Sequence, residues 1–191
     1  MDKTISSLAL TGFLLIAVTY GMARFAWGLM LPSVGQDIAL SPRAAGVIAA
    51  CSYIAYCFSS LWAAPVTGRY GARTTAIVSA LCAALGLLIL AFSSGVLLLA
   101  LGLFIAGLSS GLASPSLAAS VSQAVAERRQ STTNTFINAG TGGGIILSVP
   151  VLLFIPFGWR GACIAFAVLA LLCLLPVMRY LPATRTQGAK N

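Results

Sequence analysis

The sequence predicts an all-α transmembrane protein, a bundle of six helices. Three features lead there: a scarcity of charge, an excess of apolar residues, and the spacing of the few charges that remain. Only 7% of the 191 residues are Asp, Glu, Lys or Arg, against roughly 25% in a soluble domain. Hydrophobic residues make up 59%, and the mean hydropathy is +1.00. A soluble domain of this length has too little interior to hide so much apolar surface. The surplus must face a lipid bilayer.

A helix needs about 20 apolar residues to cross a bilayer, and the gaps between charges supply six such runs. The first is Ser6–Leu31. A signal peptide would have an apolar region of roughly 7–15 residues ending at a small-residue cleavage site. Here the run continues through Trp27 and Leu31 without one, which predicts a retained helix. The second span is Ala44–Ala64, the third Thr75–Phe92 and the fourth Val96–Ala118. The uncharged stretch from Thr74 to Ala126 is too long for one crossing, and Ser93-Ser94-Gly95 is the turn-forming break within it. The fifth span is Thr133–Phe154 and the sixth Gly161–Val177. Residues 1–178 are thus expected to form one transmembrane domain, and 179–191 a polar, basic tail.

Loop charges orient the bundle. One side carries Lys3, Arg69, Arg73, Arg128, Arg129, Arg179, Arg185 and Lys190; the other carries only Arg43 and Arg160. Basic loops stay in the cytoplasm, so both termini are expected there. The net charge of +8 is accounted for by this scatter, and no nucleic-acid partner is expected because the basic residues form no phosphate-binding stripe.

Histidine is absent, and the only acids are Asp2, Asp37 and Glu127, all outside the spans. An enzyme needs placed acids, bases or metal ligands, so neither catalysis nor a cofactor or metal is expected. Cys51, Cys57, Cys82, Cys163 and Cys173 all fall in apolar stretches with no CxxC pair. They read as small packing residues.

Arg24 is the exception within the spans. An arginine at the centre of a span costs roughly 2.5–3.5 kcal/mol to insert, less near the ends. It should therefore face a cavity or a neighbouring helix; the alternative is a side chain that reaches outward to the headgroups. Tyr20 and Trp27, four before and three after, share its helix face. Tyr53 and Tyr56 give the second helix a polar aromatic face, and Asn134 and Asn138 form a polar ridge on the fifth. With no acid in the membrane, Arg24 needs backbone carbonyls, tyrosines, an acid from elsewhere or an anionic substrate. A small-molecule binding site of Arg24, Tyr20, Trp27, Tyr53, Tyr56 and Asn138 is expected, with the asparagines weighed also as glue between helices. Gly107 and Gly111, a G-x-x-x-G pair in the fourth helix, predict close helix packing.

Several of these segments resemble one family. The second-to-third loop reads Ala64-Pro65-Val66-Thr67-Gly68-Arg69-Tyr70-Gly71-Ala72-Arg73. It resembles the signature G-x-x-x-D-R-x-G-R-R of the major facilitator superfamily (MFS): Arg69, Gly71 and Arg73 match, while Gly68 replaces the acid. Gly71 would let the tight turn take φ > 0, and the two arginines could reach carbonyls at helix ends. The resemblance implies that Arg69, Gly71 and Arg73 form a gating loop, with its acid-based latch weakened. Gly158-Trp159-Arg160 before the sixth helix, and Gly140, Gly142, Gly143 and Gly144 in the fifth, also resemble the family. The Gly-Pro pair of drug/proton antiporters is missing, and Leu103 lies where many proton-coupled members have an arginine. Gly21-Met22-Ala23-Arg24-Phe25-Ala26-Trp27 followed by Leu31-Pro32 resembles the bacterial YbfB/YjiJ-type branch, which implies a bacterial inner membrane.

The resemblance spans nearly the whole chain but half the usual family length. It implies two inverted three-helix repeats, weakly echoed by Gly28-Leu29-Met30-Leu31-Pro32 and Gly111-Leu112-Ala113-Ser114-Pro115. It also implies secondary transport by alternating access of a small solute, anionic if Arg24 binds it, and a second six-helix half as partner. Three readings stay open: a truncated or split transporter, a half-size protein pairing with its own copy or a separate chain, or a non-transporting binding or assembly protein.

Overall fold

In the computed structural model, which describes residues 3–183, six long helices follow one another. They are α1 (Thr4–Asp37), α2 (Pro42–Tyr70), α3 (Ala72–Ala91), α4 (Val96–Ala124), α5 (Glu127–Phe154) and α6 (Gly158–Tyr180). Asp2, Arg185 and Lys190, which the charge argument uses, lie outside the described residues, as does the tail from 184 onward.

The helices outrun the apolar spans read from sequence. α1 continues through Pro32 to Asp37, α2 through Pro65 to Tyr70, α4 through Pro115 to Ala124, and α5 starts at Glu127. Apolar composition marks what lipid covers, whereas backbone hydrogen bonding carries a helix on past the bilayer. Local chemistry sets the ends. Ser41 accepts from the Ala44 N–H at 3.1 Å with Pro42 in the first turn of α2, an N-cap arrangement. Gly71 separates α2 from α3 at φ +89°, a conformation that excludes most side chains. α3 stops where the Ser93 hydroxyl donates to the Leu90 carbonyl at 2.7 Å.

α4 is the central strut. It packs on α2 and α3, α3 continues the packing to α6, and α1 lies between α4 and α5. Backbone touches backbone at several of these contacts, α3 on α4 at Gly86 among them. A Cβ at Gly107 would collide with the Ser52 carbonyl oxygen, and one at Gly111 would lie 2.7 Å from the Tyr56 carbonyl oxygen. On another pair, a Cβ at Gly21 of α1 would lie 2.6 Å from the Gly144 Cα of α5. The α4–α2 and α1–α5 contacts correspond to each other under the inverted repeat that the family resemblance implies. The G-x-x-x-G reading as close packing therefore describes what the fourth helix does.

The buried apolar residues form two clusters stacked along the bundle. One gathers Met22, Met30, Leu87, Leu99, Leu103 and Phe166; the other gathers Leu8, Leu15, Ala76, Leu117, Val121 and Ile137. Between them run Thr19, Ser79, Ser109 and Ser110, all buried. Most of these hydroxyls bond to a carbonyl one turn back in their own helix, while Ser79 crosses to the Ser109 carbonyl at 2.7 Å. In lipid, every such group needs a protein partner.

One feature departs from the regular helix assumed above. Ala17–Phe25 is π-helical, with the Ala26 N–H reaching back to the Gly21 carbonyl. Widened turns of this kind are rare and cluster at functional sites. Arg24 lies in this stretch.

Candidate functional site around Arg24

Arg24 is buried, only 7% exposed. Its guanidinium carbon lies 4.2 Å from the centroid of the Tyr56 ring, 4.5 Å from Tyr53, 5.1 Å from Phe25 and 5.8 Å from Tyr20. The side chain is enclosed by these rings rather than extended to the surface of the bundle. Each ring contact is worth about 0.5–2 kcal/mol, which offsets part of the cost of burying a cation. The Nε–H has no hydrogen-bond partner. The described acids lie elsewhere: Asp37 at the far end of α1, Glu127 at the start of α5. Among the described residues the guanidinium has no ion pair.

The α4 glycines place the opposite wall. By admitting the α2 backbone at Ser52 and Tyr56, they hold Ser52, Tyr53 and Tyr56 across from Arg24. The Ser52 hydroxyl is buried and has no partner either. A cavity of about 560 Å³ opens beside these two groups, lined by Arg24, Trp27, Ser52 and Tyr53 and by the apolar side chains of Leu31, Ala45, Ala49 and Leu103. Its volume falls within the roughly 300–1,000 Å³ of small-molecule sites.

Five of the six expected binding residues therefore converge. Arg24, Trp27 and Tyr53 line the cavity. Tyr20 and Tyr56 stand behind, edge to face at 6.1 Å. Asn138 lies apart: it is exposed and donates to the Asn134 carbonyl within its own helix at 2.8 Å. It lines a separate pocket of about 80 Å³ with Asn134 and Ser114.

Phe25 and Ser52 were missing from the expected set. Phe25 adjoins Arg24 in sequence, and neighbours do not share a face of a regular helix; the π-helical turns change that geometry. Ser52 is one turn from Tyr56, so the spacing of i and i+4 could have drawn attention to it.

At the bundle end carrying the α2–α3 loop, the Arg73 Nε–H donates to the Leu181 carbonyl at 2.7 Å, tying the loop to the end of α6. Arg69 is exposed and lies over Tyr70. At the other end, Trp159 Nε1 donates to Asp37 Oδ2 at 2.7 Å, and Arg160 donates to the Ala91 and Ser93 carbonyls at 2.9 and 2.7 Å. The Trp159-Arg160 pair thus joins the ends of α1, α3 and α6. Trp159→Phe keeps an aromatic side chain but loses the indole N–H and with it the bond to Asp37. It should lower thermal stability by about 1 kcal/mol, read by melting in detergent; an unchanged melting temperature would make the contact incidental.

Six membrane-length helices thus enclose a buried cation and a cavity of solute size. The sequence profile of the Major Facilitator Superfamily matches residues 13–191, and the chain belongs to that family. The solved inward-open xylose transporter XylE from E. coli superposes on it with a TM-score of 0.80 at 18% identity. That match covers 94% of this chain and 48% of XylE, so the chain spans about half the length of that structure. No curated protein sequence matches the chain.

Proposed function

We propose that the chain forms one half of a secondary transporter that moves a small anionic solute by alternating access, with Arg24 as the anion anchor. The observation that carries this reading is the buried guanidinium beside a solute-sized cavity, held by four aromatic rings and lacking an acid. Ionisable residues inside a membrane protein are rare and commonly mark ligand or ion pathways.

A second six-helix half, from another copy or another polypeptide segment, completes the transport path. Its docking faces are α2 and α5, whose apolar windows are only 22% buried, against 44–61% for the other four. The loop of Arg69, Gly71 and Arg73 gates the cytoplasmic side, and Asn138, off the main cavity, meets solute when that side opens. The excess of basic loops supports cytoplasmic termini. The helix 1 sequence from Gly21 to Pro32 supports placement in the YbfB/YjiJ-type branch, and with it a bacterial inner membrane.

Uptake of labelled organic anions into proteoliposomes tests the reading. Arg24→Ala should reduce it to background; full affinity in that variant would refute the anchor. Native mass spectrometry of gently extracted protein tests the pairing. A species near twice 19.6 kDa, or a co-purifying apolar subunit, supports it. A lone monomer without uptake would favour a non-transporting role.

A further inference from the structure

We infer that the solute is an amphipathic monocarboxylate, bound with its carboxylate between Arg24 and Ser52 and its apolar body directed along α1 and α2 toward their connecting loop. This rests on the reading of Arg24 as the anion anchor and adds the class and orientation of what it holds.

Three observations carry it. First, Arg24 and Ser52 both line the cavity, and each carries a buried polar atom, Nε and Oγ, with no partner among the described residues. A carboxylate has two oxygens, each able to accept a hydrogen bond, and can satisfy a guanidinium and a hydroxyl together. Second, among the described residues Arg24 is the only charged one lining the cavity. A second negative charge on the solute would find no partner on this chain's wall of the cavity. Third, Arg24, Ser52 and Tyr53 gather at the end of the cavity away from the α1–α2 connection. From Arg24 the wall continues along α1 to Leu31, and from Ser52 back along α2 through Ala49 and Ala45 to Pro42. A polyhydroxylated solute would leave its hydroxyls unmatched along that stretch, whereas an alkyl or aryl body would bury apolar surface there.

The test is calorimetric titration of the full chain in phosphatidylcholine nanodiscs with four probes: hexanoate, acetate, adipate and hexanamide. Hexanoate should bind at least about tenfold more tightly than acetate, because its extra methylenes are buried. Adipate and hexanamide should each bind at least about tenfold more weakly than hexanoate, through the unpaired second charge and the lost charge. Ser52→Ala should weaken hexanoate by roughly tenfold or less, the effect of one hydrogen bond. Ala45→Phe, which narrows the part of the cavity nearer the α1–α2 connection, should weaken hexanoate more than acetate. Retained acetate binding in that variant shows that the fold is intact.

Equal affinity for acetate, hexanoate and adipate, all abolished by Arg24→Ala, would overturn the amphipathic monocarboxylate and leave the anion anchor standing. Equal binding of hexanamide and hexanoate, insensitive to Arg24→Ala, would overturn both. Hexanoate that fails to displace a co-purified anionic lipid from the site would overturn the assignment to a soluble solute.

Discussion

Gly144→Val should prevent the protein from accumulating as a folded, monodisperse species. A Cβ on Gly144 would collide with the Ala17 carbonyl oxygen and lie 2.8 Å from its carbon, and Gly21 faces the same glycine across the contact. These are backbone atoms of a neighbouring helix, so no rotamer change relieves the clash and α5 must move off α1. The cost should reach roughly 3 kcal/mol, the upper part of the range for overpacking. Separating α1 from α5 also removes the support behind the π-helical stretch that carries Arg24. Gly142→Val is the control, because a Cβ there meets nothing within 4 Å. Fluorescence-detected size-exclusion of both variants decides the matter; equal losses would mean that the fifth helix's glycines do not act through the α1 contact.

Replacing Arg24 by methionine should weaken binding of an organic anion by about a hundredfold or more, as expected when one partner of a buried charged pair is truncated. Arg24→Lys should fall between, near a tenfold loss. It retains the charge but gives up the planar fork and the stacking on Tyr53 and Tyr56 that hold the guanidinium in place. Titration with hexanoate measures both. If lysine and methionine behave alike, geometry matters more than charge; if methionine binds as the wild type does, the anchor lies elsewhere.

The sequence was informative where one residue type has one physical use. Six apolar runs could only be membrane helices. Gly107 and Gly111 could be read as a close contact, and the turn at Gly71 and the break at Ser93-Ser94-Gly95 fell where the helices end. Arg24 stood out because a lone cation in an apolar run has few bland explanations. Less legible was what depends on three-dimensional register. The π-helical stretch has no composition of its own, so the approach of Phe25 to Arg24 could not be foreseen. Ser52 looks like any other membrane serine until its neighbours are known. Most serines here return their hydrogen bond to their own helix, as Ser110 does to Gly107, and only its place one turn from Tyr56 separates Ser52 from them in the sequence. Asn138 was grouped with the aromatic site by its polarity alone, whereas α5 carries it to a different pocket.

Melting curves of wild type and Arg24→Met in nanodiscs, without and with hexanoate, test the central claim most directly. A buried cation retained for binding rather than stability should leave the empty protein less stable than its apolar variant. Replacing buried ionic groups by packed apolar ones often stabilises by about 1–4 kcal/mol, and about 2–4 °C accompanies each kcal/mol in a chain of this size. The account predicts that Arg24→Met melts several degrees higher when empty, and that hexanoate raises the melting temperature of the wild type alone. A variant that melts lower than wild type, or that gains as much from hexanoate, would make Arg24 a structural residue and contradict the account.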